Sequence, residues 1–365
     1  MEKITVKTIR DTYPVLIGDS VFNRLPSLLE KQKLNNNVFV IIDENVAAYH
    51  LSNIKSYLSK PNNRTHYFEF PSGEKHKSEY QLKKIYSTLL KKNFGRDTTL
   101  IAIGGGVTGD IAGYAAATYM RGIPFINVPT TLLAMIDAAI GGKTGINFSK
   151  KKNLIGAFYQ PQFVFIDTMF LSTLPSKEFN SALGELIKYG LISDKIFFNF
   201  LSENIERIKS KNKKTIKQAI VKCVNFKAGV VSQDEFEQKG IRKILNFGHT
   251  FAHAIESNLG FRINHGEAVV AGIVSALFLS NKIGFLTNAN LTKMLTLPAR
   301  IHLPRIIHKI NNEKVFNAMQ SDKKNRNEEL MFVLISEIGR LIVDVPAKKR
   351  DIYFALDKMK VFFLV

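Results

Sequence analysis

Short apolar runs and helical spacings alternate through the first half of this chain. Residues 38–42 (Val-Phe-Val-Ile-Ile) read as a buried strand, followed by a helical stretch toward Leu58. Residues 66–70 read as a second strand, and residues 80–90 carry apolar side chains at helical spacing. Residues 98–103 form a third apolar run leading into a helix of small residues, and residues 125–128 and 163–166 complete the series. β-rich runs interleaved with helical patterns predict βαβ units and a mostly parallel sheet. After Leu174 the texture changes. Apolar residues recur at helical spacing through Ile187, Phe198, Ile216, Ala254 and Val274, and strand-like runs nearly vanish apart from residues 329–335. Leu174-Pro175-Ser176 is therefore the expected boundary, with Pro175 suited to opening a helix. The expectation is an α/β N-terminal domain with a Rossmann-like, mostly parallel sheet (residues 1–174) and a mainly α-helical C-terminal domain (residues 175–365).

Composition narrows the function classes. A length of 365 residues suits two domains of ordinary size. Cys223 is the one cysteine, so neither an internal disulfide nor a cysteine-rich zinc site is available. The opening Met1-Glu2-Lys3-Ile4-Thr5-Val6 lacks the apolar core of a secretory signal. The longest apolar run, residues 268–279, falls short of the ~20 residues of a membrane span. A cytoplasmic protein without membrane association is expected. The 51 basic against 31 acidic side chains, a net charge of +20, favour anionic partners. Nucleic acid is disfavoured, because no recognisable nucleic-acid motif accompanies that charge. Lysine clusters such as Lys348-Lys349-Arg350 also suit a solvated surface.

Two constellations carry chemistry. The run 98–103 leads straight into Gly104-Gly105-Gly106-Val107-Thr108-Gly109-Asp110, which contains the G-x-G-x-x-G spacing between a strand and a helix. Such glycines let backbone approach a pyrophosphate at a helix N-terminus, although a tight strand-to-helix turn would read the same. Asp43 ends an earlier strand, where a carboxylate can accept from a ribose diol. No acidic residue stands out at the usual distance of about 20 positions after the glycines, so the pattern departs from a standard dinucleotide fold. In the second half, His249 and His253 are four apart, which places both on one helix face, a spacing that suits divalent-metal chelation and equally suits a pair of core or capping histidines. His265 follows, and Glu185 is a candidate carboxylate that spacing cannot link to them. Without an H-E-x-x-H pattern, a metalloprotease is disfavoured.

With these residues in view, the chain resembles the 3-dehydroquinate synthase family over nearly its whole length. The likeness runs through Pro71-Ser72-Gly73-Glu74-Lys75-His76-Lys77, the triple glycine, Arg121-Gly122-Ile123-Pro124 and Pro129-Thr130-Thr131-Leu132-Leu133-Ala134. It continues with Gly141-Gly142-Lys143-Thr144-Gly145, Lys152-Asn153-Leu154-Ile155-Gly156, residues 184–188, residues 245–256, His265-Gly266-Glu267 and Asp322-Lys323-Lys324. The resemblance implies NAD and a substrate in a cleft between two domains, and zinc or cobalt held by Glu185, His249 and His265. It moves His253 from the ligand pair to the substrate. The implied substrate is 3-deoxy-D-arabino-heptulosonate 7-phosphate. Arg121, Lys143, Asn153, Lys188, Lys227, Arg242, Asn246 and Lys323 match the family's polar substrate contacts, and two anionic groups do need several fixed donors. Asp137 matches a residue between cofactor and substrate. Asp43, Glu44, Asn45, Glu74, Lys77, Gly105 and Gly106 match cofactor contacts, as do Val107, Asp110, Thr130, Thr131, Lys152, Phe170 and Thr173. The implied reaction is a transient oxidation by NAD, elimination of phosphate, return of the hydride and an intramolecular aldol closure. A homodimer fits the same resemblance.

Three departures stand out. The family's Asp-Ser-Ser-Val reads Asp137-Ala138-Ala139-Ile140, an asparagine often found four positions before the metal glutamate is Ser181, and Glu237 fills an acidic relay position only with one extra residue before Arg242. Rival readings are a metal-dependent polyol dehydrogenase of the glycerol dehydrogenase type, a cyclase for another sugar phosphate, and a basic nucleic-acid binder.

Overall fold

The computed structural model describes the chain except Asn35, residues 60–63, Lys150, Phe261, residues 324–328 and Val365, and leaves the side chains of residues 321–323 undescribed. The chain divides into two compact units: Met1–Phe179 with Ile216–Phe236, and Asn180–Thr215 with Glu237–Val365. The division is discontinuous, unlike a single cut after Leu174. Helical spacing marks a helix but does not say which core it joins.

The first unit opens with strands β1 (Glu2–Lys7) and β2 (Thr12–Gly18) and helix α1 (Leu25–Lys31). There follow β3 (Asn37–Asp43), α2 (Glu44–Leu58), β4 (Arg64–Phe70), α3 (Glu79–Lys91), β5 (Thr98–Gly104) and α4 (Gly106–Thr118). Strands β6 (Phe125–Pro129), β7 (Lys143–Phe148), β8 (Lys151–Phe158) and β9 (Phe163–Asp167) complete its strands. Seven of them form one sheet in the order β1-β2-β9-β6-β5-β3-β4. Every pairing is parallel except β1 with β2. The strands β5, β6 and β9 are buried along their whole length, which is why they read as unbroken apolar runs. Helix α4 reaches the sheet through its small residues: a Cβ on Gly109 would lie 3.1 Å from the Asn127 side chain on β6. The mostly parallel sheet agrees with the expected class. The β1–β2 hairpin at the sheet edge, the separate β7–β8 hairpin and the later strand over residues 340–346 were not foreseen. Strand β8 is mostly exposed and begins Lys-Lys-Asn, with the Ile155 side chain packed against the core cluster, so its pattern reads weakly as a strand.

The strand order places the site. From β3 the chain goes outward to β4 on one side and then returns to β5 on the other. The carboxyl ends of β3 and β5 therefore flank a topological switch point, where open α/β sheets bind ligands.

The second unit is mainly helical. Helix α5 (Ser176–Ile192) leads into it, followed by α6 (Lys195–Lys209) and α7 (Lys213–Gln233), most of which groups with the first unit. Then come α8 (His249–Asn258), α9 (His265–Lys282), α10 (Asn288–Leu295) and α11 (Asn312–Lys323). The hairpin β10 (Met331–Glu337) and β11 (Arg340–Pro346) and helix α12 (Lys349–Phe362) end the fold. The apolar run at 268–279 is the middle of α9, buried nearly all round as the core helix of this unit. Among the described residues, no helix is long and apolar enough to cross a membrane.

Candidate metal centre and nucleotide-binding loop

Three ligand atoms converge in the second unit. One oxygen of Glu185 on α5 lies 3.3 Å from Nε2 of His249 and 3.2 Å from Nε2 of His265. All three donors fall within 4.8 Å of one another. A carboxylate with two imidazoles is the donor set of an open catalytic zinc site, so the residues present fit zinc or cobalt. His249 and His253, the pair suggested by spacing, do share a helix face with ring centroids 5.4 Å apart. The cluster is nevertheless completed by His265 at the start of α9, and His253 stands exposed beside it.

A glycine adjoins each of the three ligands, and close helix approach is the reason. A Cβ on Gly184 would lie 2.2 Å from the Gly266 carbonyl, and one on Gly266 would lie 1.6 Å from the Ser181 carbonyl. Gly248, at φ +79°, passes so near α9 that a Cβ would meet the Ile273 nitrogen at 2.8 Å. Backbones that touch this closely draw residues 185, 249 and 265 together, which side-chain-mediated helix packing at ~8–10 Å would not. Helix α9 is fixed at its start by a capping box in which Asn264 and Glu267 accept from each other's N–H.

The charges are arranged around this cluster. Glu185 and Lys188 are each only 1% exposed and form an ion pair. Burial presses the Glu185 carboxyl upward, but the Lys188 ammonium and the histidines hold it well below the usual carboxylate range. Burial likewise opposes protonation of His265, yet hydrogen bonding and charge from Glu185 and Glu256 raise it to about 9. Nδ1 of His249 meets the Phe247 carbonyl at 3.3 Å, which leaves its Nε2 for the cluster. Nearby in sequence, buried Arg242 lies 3.2 Å from Glu237, a residue held at φ +58°. Asn246 is exposed, and the Lys323 side chain falls outside those described.

In the first unit the strand ends carry an interlocked polar group. Asp43 caps α2 by accepting from Asn45 N–H (2.9 Å) and also accepts from the Ser72 hydroxyl (2.7 Å). Ser72 N–H donates to Glu44 (2.9 Å), and the Asn45 amide donates to the Ser72 hydroxyl (2.6 Å). Ser72, inside the Pro-Ser-Gly motif, joins this group through its hydroxyl and N–H, a role that its residue type alone does not signal. The glycine loop puts Gly105 at the N-cap of α4, with Gly106 as the first helical residue and Val107 next. None of the three has a positive φ, so the absence of Cβ matters here for close approach rather than backbone freedom. Thr130 N–H donates to the Gly104 carbonyl (2.9 Å), and the Thr131 hydroxyl accepts from Ala134 N–H (3.1 Å).

Buried Lys77 donates to Asp110 and to the Asn153 side chain. Burial raises the Asp110 carboxyl, with Lys77 opposing. Asp137 lies in a π-helical turn over Ala134–Ala138, and Lys227 donates both to its carboxylate and to its carbonyl (2.7 Å). Such turns recur at functional sites. Phe170 packs edge-on against Phe22 and His50, and His50 bonds the Thr173 hydroxyl at 2.7 Å. Lys143 and Lys152 are exposed, as is Arg121, which sits at φ +65°.

The family model for the 3-dehydroquinate synthase N-terminal domain matches residues 67–181, and that for its C-terminal domain matches residues 182–325. The 3-dehydroquinate synthase of Geotalea uraniireducens is 41% identical over 348 residues, covering 95% of this chain and 96% of that one. The chain belongs to the 3-dehydroquinate synthase family. Solved structures of other sugar-phosphate cyclases share its fold. A 2-deoxy-scyllo-inosose synthase complexed with carbaglucose-6-phosphate, NAD+ and Co2+ superposes with a TM-score of 0.87 at 26% identity, covering 98% of this chain and 99% of that one. The 2-epi-5-epi-valiolone synthase of Streptomyces hygroscopicus subsp. jinggangensis, with NAD+ and Zn2+ bound, gives 0.86 at 26% identity, covering 95% and 96%. Against the family pattern, the replacement at Ser181 has a local role here. Its hydroxyl accepts from Gly266 N–H at 3.2 Å and ties α5 to the start of α9.

Proposed function

We propose that this chain converts 3-deoxy-D-arabino-heptulosonate 7-phosphate into 3-dehydroquinate and phosphate, as an NAD- and metal-dependent lyase of the shikimate pathway. The convergence of Glu185, His249 and His265, in a chain of this family, is the observation that carries the reading. When bound, NAD supplies a hydride acceptor that returns what it takes, and zinc or cobalt supplies a Lewis acid. The chain supplies placement and charge. Residues 1–174 hold the dinucleotide and residues 175–365 the metal.

For the dinucleotide, Gly105, Gly106 and Val107 present the first N–H groups of α4 to the pyrophosphate. Asp43, Glu44 and Asn45 line the end of β3 for a ribose, with Glu74, Lys77, Asp110, Thr130, Thr131, Lys152, Phe170 and Thr173 as further contacts. Arg121, Lys143, Asn153, Lys188, Lys227, Arg242, Asn246 and Lys323 are assigned to the substrate's carboxylate, hydroxyls and phosphate. Lys188 answers to Glu185, so the same carboxylate orients a metal ligand set and a substrate donor. Asp137 holds Lys227 in place. His253, exposed beside His249, is assigned to moving protons, with Glu237 behind Arg242. A cytoplasmic homodimer completes the proposal; sedimentation should then give twice the chain mass of 41.1 kDa.

The test is incubation with the heptulosonate phosphate, catalytic NAD and zinc, following phosphate and dehydroquinate. Expected are both products with no net NADH, abolished by a chelator and by His265→Ala. Lasting NADH without phosphate would instead identify a polyol dehydrogenase. No turnover with NAD and metal shown to be bound would overturn the substrate.

A further inference from the structure

Asn147 makes a set of contacts that its place in a short hairpin does not require. Pairing between β7 and β8 is regular from Lys143 opposite Phe158 to Ile146 opposite Ile155, and resumes at Phe148 opposite Lys151. Between these pairs Asn147 alone faces Lys152, Asn153 and Leu154, so β8 bulges by two residues. Bulges of this kind re-aim side chains and often stand next to active sites. Asn153 lies at the bulge with φ +55°, a left-handed conformation that asparagine adopts more readily than other residues carrying a Cβ, and its N–H is held in place there.

The Asn147 side chain does the holding. Its Oδ1 accepts from the Asn153 N–H at 2.9 Å. Its Nδ2 donates to the Glu74 carboxylate at 2.8 Å and to the Glu74 carbonyl at 3.3 Å. Its own backbone N–H donates outward to the Lys77 carbonyl at 2.8 Å, where Ser78 bridges to it in parallel. Lys77 in turn reaches Asn153 and Asp110 through its ammonium. One amide thus spans the loop after β4 and the bulge of β8, and every hydrogen-bonding group it has is turned toward residues assigned above to cofactor or substrate.

We propose that Asn147 is a positioning residue that sets Glu74, Lys77 and Asn153 relative to one another, coupling the dinucleotide contacts to a substrate contact. The inference rests on the assignment of Glu74 and Lys77 to NAD and of Asn153 to the sugar phosphate. The two ends of the amide make separable demands. The acceptor oxygen serves Asn153, and the donor nitrogen serves Glu74.

The experiment compares Asn147→Ala, Asn147→Asp, Glu74→Ala and Asn153→Ala in the full chain. It reads NAD dissociation by calorimetry, KM and kcat for the heptulosonate phosphate, and thermal melting. Asn147→Ala loses both ends and should weaken NAD binding and raise substrate KM, each by about tenfold. Asn147→Asp keeps an acceptor for Asn153 but replaces the donor with a charge facing the Glu74 carboxylate. It should weaken NAD binding by about tenfold while leaving substrate KM within about twofold. That split is what a merely structural asparagine would not produce. An equal effect of the two variants on substrate KM, or no change beyond about twofold in either ligand with either variant, would overturn the proposal while Glu74→Ala and Asn153→Ala still weaken their ligands. If those two substitutions themselves leave both ligands bound as before, the assignment of Glu74 and Asn153 fails and the proposal falls with it.

Discussion

The end of the first unit proposed for the nucleotide and the carboxylate–histidine cluster of the second are built by opposite strategies. At the end of β3, Asp43, Glu44, Asn45 and Ser72 lock together through hydrogen bonds at a partly exposed surface, and the glycine loop offers unpaired N–H groups where a strand turns into a helix. Each part is local, and each group can be lost with modest cost. The metal cluster is buried and charged. Glu185 has a cation, Lys188, against one oxygen and two imidazoles against the other, inside a packing of helices that touch through backbone. Losing one polar group from a partly exposed network leaves the others hydrated, whereas removing one partner from a desolvated charge cluster leaves an uncompensated buried charge.

The sharpest way to break the comparison is Glu185→Ala. It removes a ligand and strands the buried Lys188 ammonium, so it should cost about 3–5 kcal/mol of stability as well as the metal. Thermal melting and metal content by mass spectrometry read both effects.

Adding a single methyl group to each region comes next. Gly266→Ala forces a carbon against the Ser181 carbonyl, whereas Gly105→Ala meets the Thr131 side chain, its methyl at 3.2 Å and its hydroxyl at 3.7 Å. Gly266→Ala should destabilise by at least about 1–3 kcal/mol and lower the metal content. Gly105→Ala replaces an N-cap glycine and should cost only about 0.5–1 kcal/mol while weakening NAD binding in calorimetry. Equal losses of stability would break the comparison.

A third test uses pH. Because His265 is raised to about 9, the metal-free protein carries a proton there that an ion must displace. Cobalt affinity should therefore rise about tenfold per pH unit toward pH 9 and level off above it. Calorimetry in buffers of different ionisation enthalpy should detect about one proton released near pH 7.5. A flat profile between pH 7 and 9 would show that His265 is not held protonated.

The smallest expected effect is Ser72→Ala. It loses bonds to Asp43 and Asn45 at a partly exposed site and should cost about 1 kcal/mol, with a few-fold weaker NAD binding by titration.

The sequence by itself determined the alternation of β5, α4 and β6, because fully buried strands are apolar at every position and the turn between strand and helix has its own glycine chemistry. It also carried the family likeness, through motifs that are contiguous in the chain. It could not show β8, most of whose side chains face solvent, nor the return of residues 216–236 to the first unit. Nor could residue spacing choose His265 over His253. Glu185 and His265 are 80 residues apart, and the close backbone approach of α5 and α9 at Ser181, Gly184 and Gly266 makes them neighbours. Asn147 is hidden for the same reason, since its partners come from another loop and from a bulge in the next strand. Helical and strand periods are properties of neighbours in the chain, whereas ligand sets and cross-strand amides are properties of neighbours in space, and close packing of the folded backbone is what turns one into the other.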